Sequence, residues 1–220
     1  DGEWLLYTVA FPDWEEARRQ SDIFLVWTRT GLPSTKQMTF TSEKDEVSPA
    51  WSRDGSFFVF ASNRDSEEER GGPDQLYLMR PDGGEARRIT DAKDGVSDFA
   101  FTSDGRWLVY RAGKSGEQQL WRLPIAGIAE AEPQQLTEQV AGVGEWELTE
   151  DGGRIYFITA DTVDADEKER REKKFTVVIR NAETPLSSLW VLDLDGVQVT
   201  RLTRDPTYTV TGFEISPHGR

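Results

Sequence analysis

Few residues of this chain have the chemistry for catalysis, and they do not converge. There is one histidine, His218, and no cysteine. A serine hydrolase needs a nucleophile, an imidazole base and an orienting acid, and no Gly-x-Ser-x-Gly turn occurs in the sequence. His218 stands before Gly219, where other turns of the chain carry Asp before Gly, so it reads as a turn substitution. No catalytic residue is assigned. Zinc sites need clusters of Cys and His, so no metal and no cofactor is expected. Asp161-Thr162-Val163-Asp164-Ala165-Asp166 alternates acids as a calcium loop does, but lacks the central glycine and the distal glutamate. Asp82-Gly83-Gly84 and Asp195-Gly196 read as hairpin turns, because a phosphate loop would need a helix to follow. One constellation stays in play. In Asp13-Trp14-Glu15-Glu16-Ala17-Arg18-Arg19, two adjacent carboxylates, Glu15 and Glu16, lie beside an aromatic ring. Together they could hold an ammonium group by charge and cation–π attraction. The alternative is an exposed acidic-basic loop that pairs internally.

The elements that must position these residues are repeats. Ser48-Pro49-Ala50-Trp51-Ser52-Arg53-Asp54-Gly55 leads into the apolar run Phe57-Phe58-Val59-Phe60. Val96 to Thr102, the turn at Asp104-Gly105 and the run Trp107 to Tyr110 repeat that phrase, and Val143 to Thr149 with Asp151-Gly152 and Ile155 to Ile158 repeat it again. Each copy continues with a further strand: Gln75-Leu76-Tyr77-Leu78-Met79, Gln119-Leu120-Trp121-Arg122-Leu123 or Ser188-Leu189-Trp190-Val191-Leu192. A short fourth strand ends in Ile89-Thr90, Leu136-Thr137 or Leu202-Thr203. Four short strands per repeat is the content of one propeller blade. The second strands are apolar at consecutive positions, which requires burial of both faces, as in stacked blades. The fold expected is all-β: a β-propeller of about four four-stranded blades. The repeats fall at about 1–47, 48–95, 96–142 and 143–209, with the start of another at 210–220. A β-sandwich is the competing architecture.

The first copy opens at Asp1-Gly2 without its first strand, and the last, Val210 to Gly219, stops before its second. Two readings follow: a piece of a larger ring, or a four-bladed ring closed by pairing the two. Two insertions interrupt the pattern. Asn63 to Asp74 is polar and glycine-rich and reads as a mobile loop. Asp161 to Lys174 is almost entirely charged, with acid-first pairs at i,i+4, and reads as a short solvated helix.

The chain is 220 residues long, with 26 Lys and Arg against 40 Asp and Glu, a net charge of −14. Such a surface repels phosphates and anionic lipid, so neither nucleic acid nor membrane is an expected partner. No apolar run reaches the length of a membrane span, and no signal peptide is visible. The expected compartment is the cytoplasm, or the periplasm or exterior where a leader has been removed.

The phrase Ser-Pro-x-Trp-Ser-x-Asp-Gly, with Phe60-Ala61-Ser62-Asn63-Arg64-Asp65 after it and Asp82-Gly83-Gly84-Glu85-Ala86-Arg87-Arg88-Ile89-Thr90 later, resembles the blades of the TolB propeller and of the prolyl oligopeptidase (S9) family. Tyr7 to Val26 and the excursion Asp166 to Lys174 are similar to acylaminoacyl-peptidase and dipeptidyl-aminopeptidase type members. In that family a propeller, usually seven-bladed, precedes an α/β-hydrolase domain that carries the catalytic residues. The resemblance therefore implies a non-catalytic propeller segment. Its partners would be an α/β-hydrolase domain of the same protein and a peptide substrate, whose access it restricts and whose end it helps to bind. Glu15 and Glu16 are the residues here that could anchor a substrate amine. The alternatives are a TolB-like interaction scaffold without enzymatic activity, or a small closed propeller that binds a solute. A piece of a ring would expose its end blades, so self-association is also expected.

Overall fold

The repeats fold as a succession of antiparallel sheets, each a meander of consecutive strands. The computed structural model describes residues 2–14, 18–68, 71–161, 186–203 and 207–216. The first sheet holds β1 (Trp4–Asp13), β2 (Arg18–Trp27) and β3 (Lys36–Gln37). The second holds β4 (Glu46–Trp51), β5 (Phe58–Ser62), β6 (Gln75–Met79) and β7 (Arg87–Arg88). The third holds β8 (Val96–Phe101), β9 (Trp107–Ala112), β10 (Gln119–Pro124) and β11 (Gln134–Gln135). The fourth holds β12 (Trp146–Leu148), β13 (Arg154–Ala160), β14 (Ser187–Asp193) and β15 (Gln198–Arg201). Among the described residues the only helical elements are two 3-10 turns, Leu32–Ser34 and Ile128–Glu130. The chain divides into two compact units, residues 1–114 with 121–134 and residues 115–120 with 135–220.

Three local devices recur and explain why these sequences make these sheets. The first is the turn between the first two strands of a blade. Gly55, Gly105 and Gly152 take φ of 69, 69 and 70°, a conformation glycine adopts without steric cost. The preceding acid then organises the turn by accepting hydrogen bonds. Asp104 accepts from the Thr102 hydroxyl at 2.6 Å and the Arg106 backbone N–H at 2.9 Å. Asp54 accepts from Ser52 and Ser56, and Asp151 from Thr149 and Gly153.

The second device is the threonine after the last strand of each sheet. Thr39, Thr90, Thr137 and Thr203 each use the hydroxyl oxygen to accept the backbone N–H of Ile23, Leu76, Leu120 and Leu189, at 2.8 to 2.9 Å. The hydroxyl continues the ladder where the strand has ended. The fourth strands therefore stop before the Ile-Thr and Leu-Thr pairs that the sequence puts at their ends.

The third device joins successive blades. Val96 donates its N–H to the carbonyl of Asp74 at 2.8 Å, and Val143 donates to Gln118 at 2.7 Å. Val210 makes the same bond to Ser187 at 2.8 Å. Gly95 and Gly142 precede the first two of these valines and let the backbones approach. A Cβ on Gly142 would lie 2.8 Å from the Gln118 nitrogen.

Packing between sheets bears out the stacked-blade reading. Every residue of β5 is buried, so both of its faces are covered. Phe58 and Phe60, with Tyr77 and Met79, pack against Ile23, Leu25 and Met38 of the first sheet. Val59, Ala61 and Leu76 pack the other way, against Leu108, Tyr110 and Leu123 of the third. Tyr110 thus fills an inter-blade core, whereas Trp107 lies under the Arg122 guanidinium, 3.9 Å from ring centroid to carbon.

The β1–β2 hairpin reaches into the Asp13 to Arg19 stretch: β1 runs through to Asp13 and β2 begins at Arg18, the two pairing in continuous register. One expectation needs correction. The start of the Asn63 insertion is not free. Asn63 is buried and its side-chain oxygen accepts the Asp45 N–H, while the Lys44 ammonium donates to the carbonyl of Ser66. The helix read over Asp161 to Lys174, apart from Asp161 itself, and His218 lie outside the described residues.

Candidate functional site

The first candidate is the end of the β1–β2 hairpin. Ten residues of each strand pair, from Trp4↔Trp27 to Asp13↔Arg18, against five each in β5 and β6. Aromatic rings stiffen this arm: Phe24 packs on Tyr7 with centroids 5.7 Å apart and on Phe11 at 6.2 Å. Trp14, just past the last pair, is 87% exposed. A large ring held in water at a hairpin end is a ready contact for a ligand. Glu15 and Glu16 lie outside the described residues, as does Ala17.

The second candidate is a buried charged centre where β4 and β5 meet the first sheet. Glu46 opens β4 with its side chain fully buried. One carboxyl oxygen, Oε1, accepts from the Thr41 hydroxyl at 2.6 Å, the Ser62 hydroxyl at 3.2 Å and the Arg64 guanidinium at 3.0 Å. The other, Oε2, has no donor. Burial pushes the Glu46 carboxyl above its ordinary range, and the neighbouring Asp22 carboxyl pushes the same way, against the pull of Thr41 and Arg64. Asp22 is itself buried and accepts from Thr39 at 3.0 Å and Gln37 at 3.2 Å. The Arg64 guanidinium lies over Phe60 at 5.1 Å and Tyr77 at 4.9 Å. Burial first, and then the hydrogen bond that its hydroxyl donates to Asp65 at 2.6 Å, raises the Tyr77 phenol.

This centre has no exposed nucleophile or paired acid and base, so its chemistry is structural. It ties the start of β4 to the end of β5 through charge-assisted hydrogen bonds, with Thr41 joining from the connection that follows the first sheet. Reading Asn63 to Asp74 as one mobile loop misses it. The available signal was the position of Asn63-Arg64-Asp65 directly after a strand of buried residues. Among the described residues no three acids or histidines are placed to hold a metal ion. Asp161, the first acid of the calcium-like run, is engaged by Arg201 at 2.8 Å; Thr162 to Asp166 lie outside the described residues.

Stacked four-stranded meanders joined in this way define a β-propeller with TolB-like blades. No family model matches the chain. Among curated proteins, half of it is 36% identical over 111 residues to the uncharacterized peptidase YuxL of Bacillus subtilis. It is 25% identical over 112 residues to dipeptidyl-peptidase 5 of Porphyromonas endodontalis. Each match spans 15% of the relative's own length. Of solved structures, the β-propeller domain of the Trilobed protease from Pyrococcus furiosus superimposes with a TM-score of 0.57 at 15% identity, covering 92% of this chain and 54% of that one. The putative TolB from Agrobacterium tumefaciens superimposes with a TM-score of 0.55 at 21% identity, covering 89% and 60%. The structural likeness establishes the fold. The sequence likeness to peptidases agrees with the resemblance to prolyl oligopeptidase propellers.

Proposed function

We propose that this chain is the non-catalytic propeller segment of a serine exopeptidase of acylaminoacyl or dipeptidyl type. The observation that carries the reading is the 36% identity to a peptidase over half of the chain, on a blade architecture that peptidases use. The propeller restricts entry to a catalytic chamber formed with an α/β-hydrolase domain of the same polypeptide. The β1–β2 arm contributes to binding the peptide end, with Glu15 and Glu16 receiving its amine. Val210 docks on Ser187 as Val96 docks on Asp74, which supports a further blade after residue 209 and a ring larger than four blades, seven in the family it resembles. The compartment that accompanies this reading is the cytoplasm, or the periplasm or exterior for a protein with a cleaved leader.

The experiment is a comparison on the complete reading frame. Glu15→Gln with Glu16→Gln should raise KM for peptides with a free N-terminal amine and leave N-blocked peptides unchanged. The 220-residue chain alone should hydrolyse neither. A complete reading frame without hydrolase activity would refute the peptidase reading. It would favour a TolB-like interaction scaffold, which the superposition on TolB supports.

A further inference from the structure

One buried position changes from an amide to a carboxyl in the first sheet. Gln75 and Gln119 open β6 and β10, one residue before the N–H that the threonine of the same sheet accepts. Each does the same two things. Its side-chain oxygen accepts from the threonine hydroxyl, at 2.9 Å from Thr90 and 2.8 Å from Thr137. Its amide nitrogen donates to the carbonyl two residues past that threonine, Ala92 or Gln139, at 2.7 Å. In the first sheet this place belongs to Asp22, one residue before Ile23, whose N–H bonds Thr39. Asp22 accepts from the Thr39 hydroxyl as the glutamines do, at 3.0 Å, but has no amide to donate. Gln20, two residues earlier on the same face of β2, supplies that bond to the Thr41 carbonyl instead.

A second change lies against the first. Val96 opens β8 opposite Ala112, the last residue of β9, and is buried. Val143 makes the same docking bond as Val96 and is buried too. In the second sheet that place, opposite Ser62 at the end of β5, is taken by Glu46. Where Gln75 meets Val96 and Gln119 meets Val143, there is one neutral amide and one valine. Where β2 meets β4 there are two carboxyls, Asp22 and Glu46, 2 and 0% exposed.

The side chains of Glu46 and Asp22 are in hydrogen-bond contact. Two ionised carboxylates have only acceptors to offer each other. Glu46 Oε1 is occupied by Thr41, Ser62 and Arg64, while Oε2 is buried without a donor. Charge leads to the same place. The Arg64 guanidinium brings one positive charge to two buried carboxyls, and a second buried negative charge is costly without a partner. The other charged groups nearby are turned elsewhere: Lys44 to the carbonyls of Ser66 and Glu68, Asp65 to the Tyr77 hydroxyl, and Asp45 towards Asp74.

We propose that Glu46 and Asp22 hold one proton between them, carried on Glu46 Oε2 and donated to the Asp22 carboxyl, as a pH-sensitive latch between β2 and β4. With that proton the pair carries one negative charge, which Arg64 balances. Burial, and the Asp22 carboxyl with it, raise Glu46 above its ordinary range, so the latch is closed below that raised value and opens as pH rises through it. Opening leaves two carboxylates in contact and loosens the grip of Asp22 on Thr39. The latch does not rest on the peptidase reading.

The test is a pH titration of the side-chain carboxyl carbons by NMR on the isotope-labelled chain. In the wild type Glu46 titrates in a step above the ordinary carboxylate range, and the Asp22 carboxyl carbon records the same step, because it accepts that proton's bond. Asp22→Asn puts back an amide, as at Gln75 and Gln119, and moves the Glu46 step down by more than about one pH unit, the coupling at which two groups titrate as a pair. A Glu46 carboxyl that titrates in the ordinary range overturns the proposal. So does a raised step that Asp22→Asn leaves in place, since burial alone would then set it. A second measurement needs no variant. Hydrogen exchange compares the Ile23, Leu76 and Leu120 N–H groups, each bonded to its threonine. As pH rises through the Glu46 step, protection of Ile23 falls about tenfold or more relative to the other two, the equivalent of one pH unit. Protection that keeps a constant ratio among the three overturns the latch.

Discussion

The Thr90 hydroxyl accepts the Leu76 backbone N–H at 2.8 Å and donates its own proton to the Gln75 side-chain oxygen at 2.9 Å. Gln75 in turn donates to the Ala92 carbonyl at 2.7 Å and accepts its N–H at 2.9 Å. All of this is buried or nearly so, and the Leu76 N–H has the hydroxyl as its acceptor. Thr90→Val keeps the shape and removes it, leaving a buried N–H unsatisfied. The expected cost is about 1–3 kcal/mol. Thr90→Ser restores the bonds and recovers most of it. Urea denaturation of the three proteins measures the difference.

Gly142 and Gly55 share nearly the same φ, 71 and 69°, but not the same surroundings. A methyl group at Gly55 meets nothing within 4 Å, whereas at Gly142 it meets the backbone of Glu117 and Gln118 at 2.8 to 2.9 Å. Gly55→Ala therefore costs only the left-handed conformation, about 1–2 kcal/mol. Gly142→Ala adds a backbone clash beside the Val143 to Gln118 bond that docks one blade on the last, and costs clearly more. Thermal unfolding of the two variants ranks them.

The parts of this fold that are local in sequence were legible, and the parts that depend on neighbours were not. Asp54-Gly55 and its copies announce the turns because glycine conformation and acceptor chemistry act within five residues. The consecutive apolar residues of Phe57 to Phe60 announce two buried faces. Glu46 and Arg64 gave no such signal. They are 18 residues apart and meet only because β4 and β5 pair, and their burial comes from the first sheet. The reach of β1 to Asp13 was hidden for a similar reason. Pro12, Asp13 and Arg18 have weak strand preference, and cross-strand pairing holds them extended.

The turn acids give stability a defined acid limb. Hydrogen bonds from Ser56 and Ser52 hold the Asp54 carboxyl below its ordinary range, and those from Thr149 and Gly153 do the same for Asp151. At Asp104 partial burial opposes the shift, but the bonds from Thr102 and Arg106 outweigh it. A depressed folded-state value means stability that is complete above the unfolded carboxylate range, about pH 4. It is lost as pH falls through the folded values. Replacing the three acids by Asn lowers the thermal midpoint at neutral pH and flattens its fall between about pH 4 and pH 2. A triple variant with the wild-type acid slope would show that other carboxylates set it.

Glu46 has the opposite sign. Burial, reinforced by Asp22, raises its folded value, so its contribution is complete below the unfolded range and is lost as pH rises through the raised value. Glu46→Gln cannot ionise, and removes this decline above the ordinary carboxylate range while leaving the acid limb of the turn aspartates in place. Arg64→Met acts the other way. It takes away the cation that draws the Glu46 value down, so the decline moves to higher pH, and removing one partner of a buried pair costs about 3–5 kcal/mol. Arg64→Lys keeps the charge, but its ammonium cannot stack as the guanidinium does on Phe60 and Tyr77, so it recovers only part of the loss. The double variant Glu46→Gln, Arg64→Met separates pairing from packing. If the two residues act as an ion pair, the double variant is more stable than Arg64→Met alone at neutral pH. Additive losses in guanidinium denaturation would mean that Arg64 acts only through its stacking on the aromatic rings.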